Sequence, residues 1–135
     1  EQLRLHEGVR SKVYLCSEGY ETIGVGRNIS DSGIGLSDDE IAYLLANDIA
    51  RCEHELAERY PWFDDLDPVR QDALVDMAFN LGISRLAQFQ NMIAALAEER
   101  FDDAATEALD SRWAKQVGQR AHTVAAMIRT GERQL

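Results

Sequence analysis

Two side chains near the start of the chain, Glu7 and Cys16, are the first candidates for chemistry. Glu7 stands at the end of a short helical stretch, Glu1 to Glu7, just before Gly8. The helix dipole is negative there, which disfavours a carboxylate and raises its pKa. Partial burial beside Leu3 and the following hairpin acts in the same direction. A carboxyl group still protonated near neutrality is what a general acid needs. An exposed helix-terminal Glu without function is the commoner fate of that residue type. Cys16 has three readings. It is a small buried hydrophobe, half of a bridge to Cys52 if the two approach within about 7 Å, or a catalytic thiol. The last requires activation, because at an ordinary pKa of about 8.5 only a few per cent is thiolate near pH 7. His6 is close in sequence, but no papain-like local signature surrounds Cys16.

The elements that must position these groups are legible from turn and capping signals. Tyr14 to Arg27, YLCSEGYETIGVGR, reads as a hairpin with its turn at Ser17-Glu18-Gly19 and a second arm through Thr22 and Ile23. RNISDSGIG then reads as a loop. Ser37 opens a strong helix signal, with Glu40 three residues on as a capping box and Asp38 and Asp39 complementing the dipole. Apolar residues Ile41, Leu44, Leu45, Ile49 and Cys52 continue it at helical spacing to about Glu58. YPWFDDLDP breaks the helix. Asp67 and Pro68 start the next, Gly82 ends it, and Leu74, Met77, Ala78 and Leu81 make its buried face. Further helices fit Gln90–Arg100, Asp102–Ser111 and Ala121–Arg129. The fold class is therefore α+β, mainly helical: one domain over 1–135, with a small β-hairpin lobe (about 1–36), a long connecting helix (about 37–58) and a helical lobe (about 59–135). Two lobes joined by a helix leave a cleft, where ligands tend to bind.

Bulk properties exclude several classes. A chain of 135 residues with 45% hydrophobic and 28% charged residues is an ordinary globular domain. No apolar run is long enough to span a membrane. The net charge of −10 argues against general nucleic-acid binding. From Ser111 onward the balance reverses, with Arg112, Lys115, Arg120, Arg129 and Arg133 against Glu132 alone. That tail either attracts an anion or is a helix with a solvated basic face. Two cysteines make no disulfide framework. The chain opens without Met, so its natural N-terminus is expected upstream, and no export signal is visible. Gly24 and Gly26 in GVGRNI lack the third glycine of a dinucleotide fingerprint. Asn28 to Asp39 puts Gly33 at the sixth position of a calcium-type loop, but Asn28, Ser30 and Ser32 supply no carboxylate. No His/Cys spacing suggests zinc. No metal and no cofactor is expected.

LRLHEGVRSKVYLCSEGYETIGVGR resembles the opening of the small lysozymes of tailed phages, the T-even phage lysozyme family. There a helix ending in Glu-Gly precedes a hairpin, and the catalytic set is Glu, eight residues, Asp or in some members Cys, five residues, then Thr. That spacing selects Glu7, Cys16 and Thr22. LDPVRQDALVDMAFNLG, AQFQNMIAALAEERFDDAATEAL, SRWAKQVGQRA and IRTGE resemble the later helices, so the likeness covers nearly the whole chain. The resemblance implies a lysozyme-like fold and a muramidase that hydrolyses the β-1,4 bond between N-acetylmuramic acid and N-acetylglucosamine in peptidoglycan, with inversion. Glu7 would be the general acid, with Cys16 and Thr22 activating or positioning water. Arg120 would pair with the catalytic Glu. Arg27 stands where the family often has His and is expected to pair with an acid on the long helix, Asp48 first. Gly26, Phe89, Trp113 and Gln116 would meet the substrate. The expected partner is the peptidoglycan glycan strand and the expected state a monomer. A phage endolysin would pass from host cytoplasm to periplasm and cell wall, and a bacterial protein would be secreted or periplasmic. Two other readings stand beside this one: a degenerate lysozyme fold that binds peptidoglycan or protein, and a cysteine hydrolase unrelated to glycans.

Overall fold

The structure, a computed structural model, describes residues 1–134. It divides into two compact units, Glu1–Leu45 and the chain from Ala46 onward. It is mainly helical with one small antiparallel sheet, the lysozyme-like α+β class.

In the first unit, helix α1 (Gln2–Glu7) ends at Gly8, whose φ of 78° only glycine adopts freely. Strands β1 (Arg10–Leu15), β2 (Glu21–Gly24) and β3 (Arg27–Asn28) follow in spatial order β1-β2-β3. Tyr14 pairs with Thr22 and Leu15 with Glu21, and an irregularity separates them from the Arg10–Gly24 pair. The turn closes through Cys16 N–H to the Tyr20 carbonyl (3.0 Å) and Gly19 N–H to the Cys16 carbonyl (2.9 Å). β3 differs from the sequence expectation, which makes Arg27 and Asn28 the start of a loop. Their backbone instead continues the sheet, with Thr22 opposite Asn28 and Ile23 opposite Arg27. A two-residue strand carries too little pattern to be read from composition. Beyond it the loop is turned by the Asn28 side chain, which accepts from Ser30 N–H (2.9 Å) and Ser30 Oγ (2.6 Å).

Helix α2 (Asp38–Arg59) begins as the capping box requires. Glu40 Oε1 accepts from Ser37 N–H at 2.9 Å, and Ser37 Oγ accepts from Glu40 N–H at 3.4 Å. The boundary between the two units falls within this helix. Cys52 and Leu56 are its buried residues.

The second unit is a helical bundle. After a short 3₁₀ turn at Phe63–Asp65, Asp67 caps α3 (Pro68–Leu81) by accepting from Arg70 N–H at 3.1 Å. The expected face of α3, Leu74, Met77, Ala78 and Leu81, is buried, and so are Ala73 and Val75. A helix buried on more than one side is a central element. Around it lie α4 (Ile83–Leu86), α5 (Gln90–Ala97), α6 (Phe101–Leu109), α7 (Arg112–Val117) and α8 (Gln119–Thr130). Ala104, Ala105 and Ala108 line the inner face of α6, which packs on both α5 and α8. α5 stops short of the expected Arg100 because Glu99 turns left-handed (φ 59°) and Arg100 N–H closes onto the Ala95 carbonyl. α7 is a separate short helix capped by Ser111, whose Oγ accepts from Ala114 N–H at 3.1 Å. Arg70 ties the end of α8 to α3 by donating to the Ile128 carbonyl (2.6 Å) while its guanidinium lies 3.6 Å over the Phe101 ring.

Leu74 is 1% exposed in the middle of this bundle. Leu74→Ala is expected to cost about 3 kcal/mol through lost transfer energy and an unfilled cavity. A urea titration reads this as a lower midpoint at unchanged slope.

Candidate active site

Glu7 closes α1, and its side chain runs over the turn between β2 and β3. A Cβ added to Gly26 would meet Glu7 Oε2 at 2.7 Å and Cδ at 3.0 Å. Gly26 also has φ +66°. The positive φ favours glycine here, and the missing Cβ leaves room for the end of the Glu7 side chain. The partial burial expected of Glu7 is not found: the residue is exposed, and α1 buries none of its side chains.

Cys16 leaves β1 at the hairpin turn and is half-buried. The turn bends the backbone N–H groups of Tyr20, first, and Glu18, second, onto its sulfur, and they hold the thiol below its ordinary range. Burial and the Glu18 carboxylate oppose this. The Thr22 side chain also reaches the thiol. Its single proton, however, is donated to the Tyr20 carbonyl at 2.8 Å. The backbone N–H groups are therefore the main stabilisers of a thiolate, with the Thr22 hydroxyl a smaller one. Thr22 itself is 3% exposed, packed between Tyr14 of β1 and Asn28 of β3. Cys52 has the opposite character. It is buried in the helical unit, and burial first of all pushes its thiol up. Both thiols are free.

Arg27 does pair with an acid on α2, but the acid is Glu40 rather than Asp48. Arg27 Nη1 donates to Glu40 Oε1 at 2.5 Å and to the Gly35 carbonyl at 3.2 Å. Asp48 bonds instead to Arg51 at 2.8 Å on its own helix. The reason is geometric. The short loop after β3 returns the chain to the first turn of α2, and Asp48 lies about 12 Å further along the axis. The Ser37 backbone N–H, then Arg27, then the Ser37 hydroxyl lower the Glu40 carboxyl to about 2. The capping signal made Glu40 visible in the sequence; its second role as the partner of Arg27 was not.

Within the helical unit, Phe89, Trp113 and Gln116 come together around a cavity of about 610 Å³ also lined by Arg85, Glu107 and Arg112. The two rings meet edge-on, 6.3 Å apart at 80°. Trp113 is only 3% exposed, and its Nε1 donates to Asn80 Oδ1 at 2.8 Å. It is a fixed wall of the cavity rather than an open stacking face. Asn80 was not picked out from the sequence, since nothing in its local pattern marks a partner 33 residues away.

Arg120 donates through Nε to Asp76 Oδ1 (2.7 Å) and through Nη2 to the Asp76 carbonyl (3.2 Å). Arg133 pairs with Asp72 at 2.7 Å and Arg129 with Asp102 at 3.8 Å. The basic tail is thus largely taken up by acids of α3 and α6, which favours the solvated basic face over an anion site. Among the described residues, no group of three or more His, Cys, Asp or Glu side chains is arranged to hold a metal. In the calcium-like loop, Gly33 packs directly against the Asn28 carbonyl. No helix is long and apolar enough to cross a membrane among the described residues.

The family model described as "Phage lysozyme" matches residues 4–131. The chain is 30% identical to the pre-baseplate central spike protein Gp5 of Enterobacteria phage T4, over 97% of this chain and 27% of that protein. It is 24% identical to probable T4-type lysozyme 1 and 25% identical to probable T4-type lysozyme 2, both of Dictyostelium discoideum, each over 97% of this chain and 93% of the relative. The chain therefore spans about a quarter of the spike protein and nearly all of the two slime-mould relatives.

The contrast between the two thiols is directly measurable. A lowered thiol carries more thiolate at any pH below its ordinary range, and a raised, buried one carries less. Iodoacetamide is expected to modify Cys16 well before Cys52, with a rate that rises at a lower pH than for a free cysteine. Peptide mass mapping against pH gives both profiles.

Proposed function

Because the chain belongs to the phage lysozyme family, a family of lysozyme-like glycosidases acting on peptidoglycan, we propose that it hydrolyses the β-1,4 bond between N-acetylmuramic acid and N-acetylglucosamine. Glu7 is the general acid, and it delivers its proton to the departing glycosidic oxygen. Water attacks the anomeric carbon from the opposite face of the sugar, which inverts the configuration. Cys16 and Thr22 receive and orient that water. Phe89, Trp113 and Gln116 contribute to holding the glycan, and Gly26 lets the Glu7 carboxylate lie close to the backbone. Arg120, expected to pair with the general acid, instead donates to Asp76.

The observation that carries this reading is the close approach of the Glu7 carboxylate to Gly26, whose missing side chain leaves room for it. An incidental helix-terminal Glu has no need of that fit. The meeting of Cys16 and Thr22 at one end of the hairpin adds a second polar centre in the family's spacing. A thiol held low by N–H donors is ionised more readily, but the same donors weaken it as a base. Sulfur here is therefore read as orienting water as much as accepting a proton.

Clearing of outer-membrane-permeabilised Gram-negative cells tests the assignment. Glu7→Gln is expected to lose lysis by a factor of about 10² to 10⁴, the usual contribution of a positioned acid. Lysis at the wild-type rate would sink the mechanism. A wild-type protein that sediments with purified sacculi but never clears them would mark a binding module instead. Gly26→Ala, which displaces the end of the Glu7 side chain, is expected to slow lysis at least about tenfold.

A further inference from the structure

We propose that Glu40 is a positioning residue for the Glu7 carboxylate, acting through Arg27 and the turn that carries Gly26. The inference rests on the reading of Glu7 as the general acid.

The turn that supports Glu7 lies between β2 and β3, and β3 is two residues long with a single partner strand. So short a pairing is weak by itself. Its other side is held by two contacts to the return loop, Gly35 N–H to the Asn28 carbonyl at 3.3 Å and Arg27 Nη1 to the Gly35 carbonyl at 3.2 Å. Arg27 is in turn fixed by Glu40 in the first turn of α2. One carboxylate oxygen, Glu40 Oε1, therefore joins the start of a 22-residue helix to the edge of the sheet. Both polar centres depend on that edge. Gly26 directly precedes Arg27, and Thr22 lies opposite Asn28. The Glu7 carboxylate lies close over Gly26, where an added Cβ would push the end of that side chain aside. A small shift of β3 therefore moves the surface on which the acid rests.

Glu40→Gln separates this role from helix capping. Gln at the third position keeps the capping-box acceptor but loses the charge that holds Arg27. With peptidoglycan as substrate, and well below the melting temperature of every variant, kcat is expected to fall about tenfold with KM within about twofold. The alkaline limb of the pH–rate profile, where the general acid loses its proton, should shift as well. Arg27→Gln should behave alike, and Arg27→Gln/Glu40→Gln should be no slower than either alone, because the residues act in series. A single nitrogen makes both Arg27 contacts, so Arg27→Lys should recover most of the rate. If Glu40→Gln lowers only the melting temperature and leaves kcat and the pH profile at wild type, the proposal is overturned. Glu7→Gln run in parallel separates the two failures. An inactive Glu7→Gln beside an unaffected Glu40→Gln removes only the role of Glu40, whereas a fully active Glu7→Gln removes the premise of both.

Discussion

The first unit is organised around the close approach of the Glu7 side chain to the turn at Gly26. It brings a helix terminus and a sheet turn together where the absence of a Cβ leaves room for the carboxylate. That approach needs the chain to leave α1 sharply, which Gly8 allows with its positive φ, and needs the turn after β2 to curl back under it, which Gly26 allows in the same way. The three-stranded sheet, the loop after β3 and the capped start of α2 then act as the frame for that turn.

The second polar centre is built by a different physics. Backbone N–H dipoles converge on the hairpin sulfur because the turn from Cys16 to Tyr20 bends them inward. A carboxylate in that position would find the same donors, so the turn suits either an oxygen or a sulfur anion. What differs is chemical. Sulfur is larger, more polarizable and a weaker hydrogen-bond acceptor, and its protonation state varies closer to neutrality. The buried Thr22 donates to the Tyr20 carbonyl, and its hydroxyl is a smaller stabiliser of the thiolate.

The helical unit shows how an acidic protein handles a basic end. Asp72 and Asp76 on α3 and Asp102 on α6 meet Arg133, Arg120 and Arg129. These pairs are exposed and individually worth little; what they do is leave the tail without a concentrated positive field. In the Phe89–Trp113 cavity, Trp113 is held by its ring in the core and by its indole N–H on Asn80.

Local signals in the sequence determined most of the elements. Ser37 with Glu40, Asp67 with Pro68, and Gly8 and Gly82 as stops are short-range devices, acting over three or four residues, and each stands where it was read. The buried face of α3 follows from periodicity in the same way. The spacing of Glu7, Cys16 and Thr22 pointed to the family, which a family model spanning residues 4–131 bears out. Tertiary structure alone decided the partners. Arg27 chose Glu40 over Asp48 because the loop length returns the chain to the first turn of α2. Arg120 found Asp76, and Trp113 found Asn80, across 44 and 33 residues. Sequence periodicity places a residue on a face of its own element. Which atom waits opposite that face depends on how loops of particular lengths bring separate elements together, and no local pattern contains that distance.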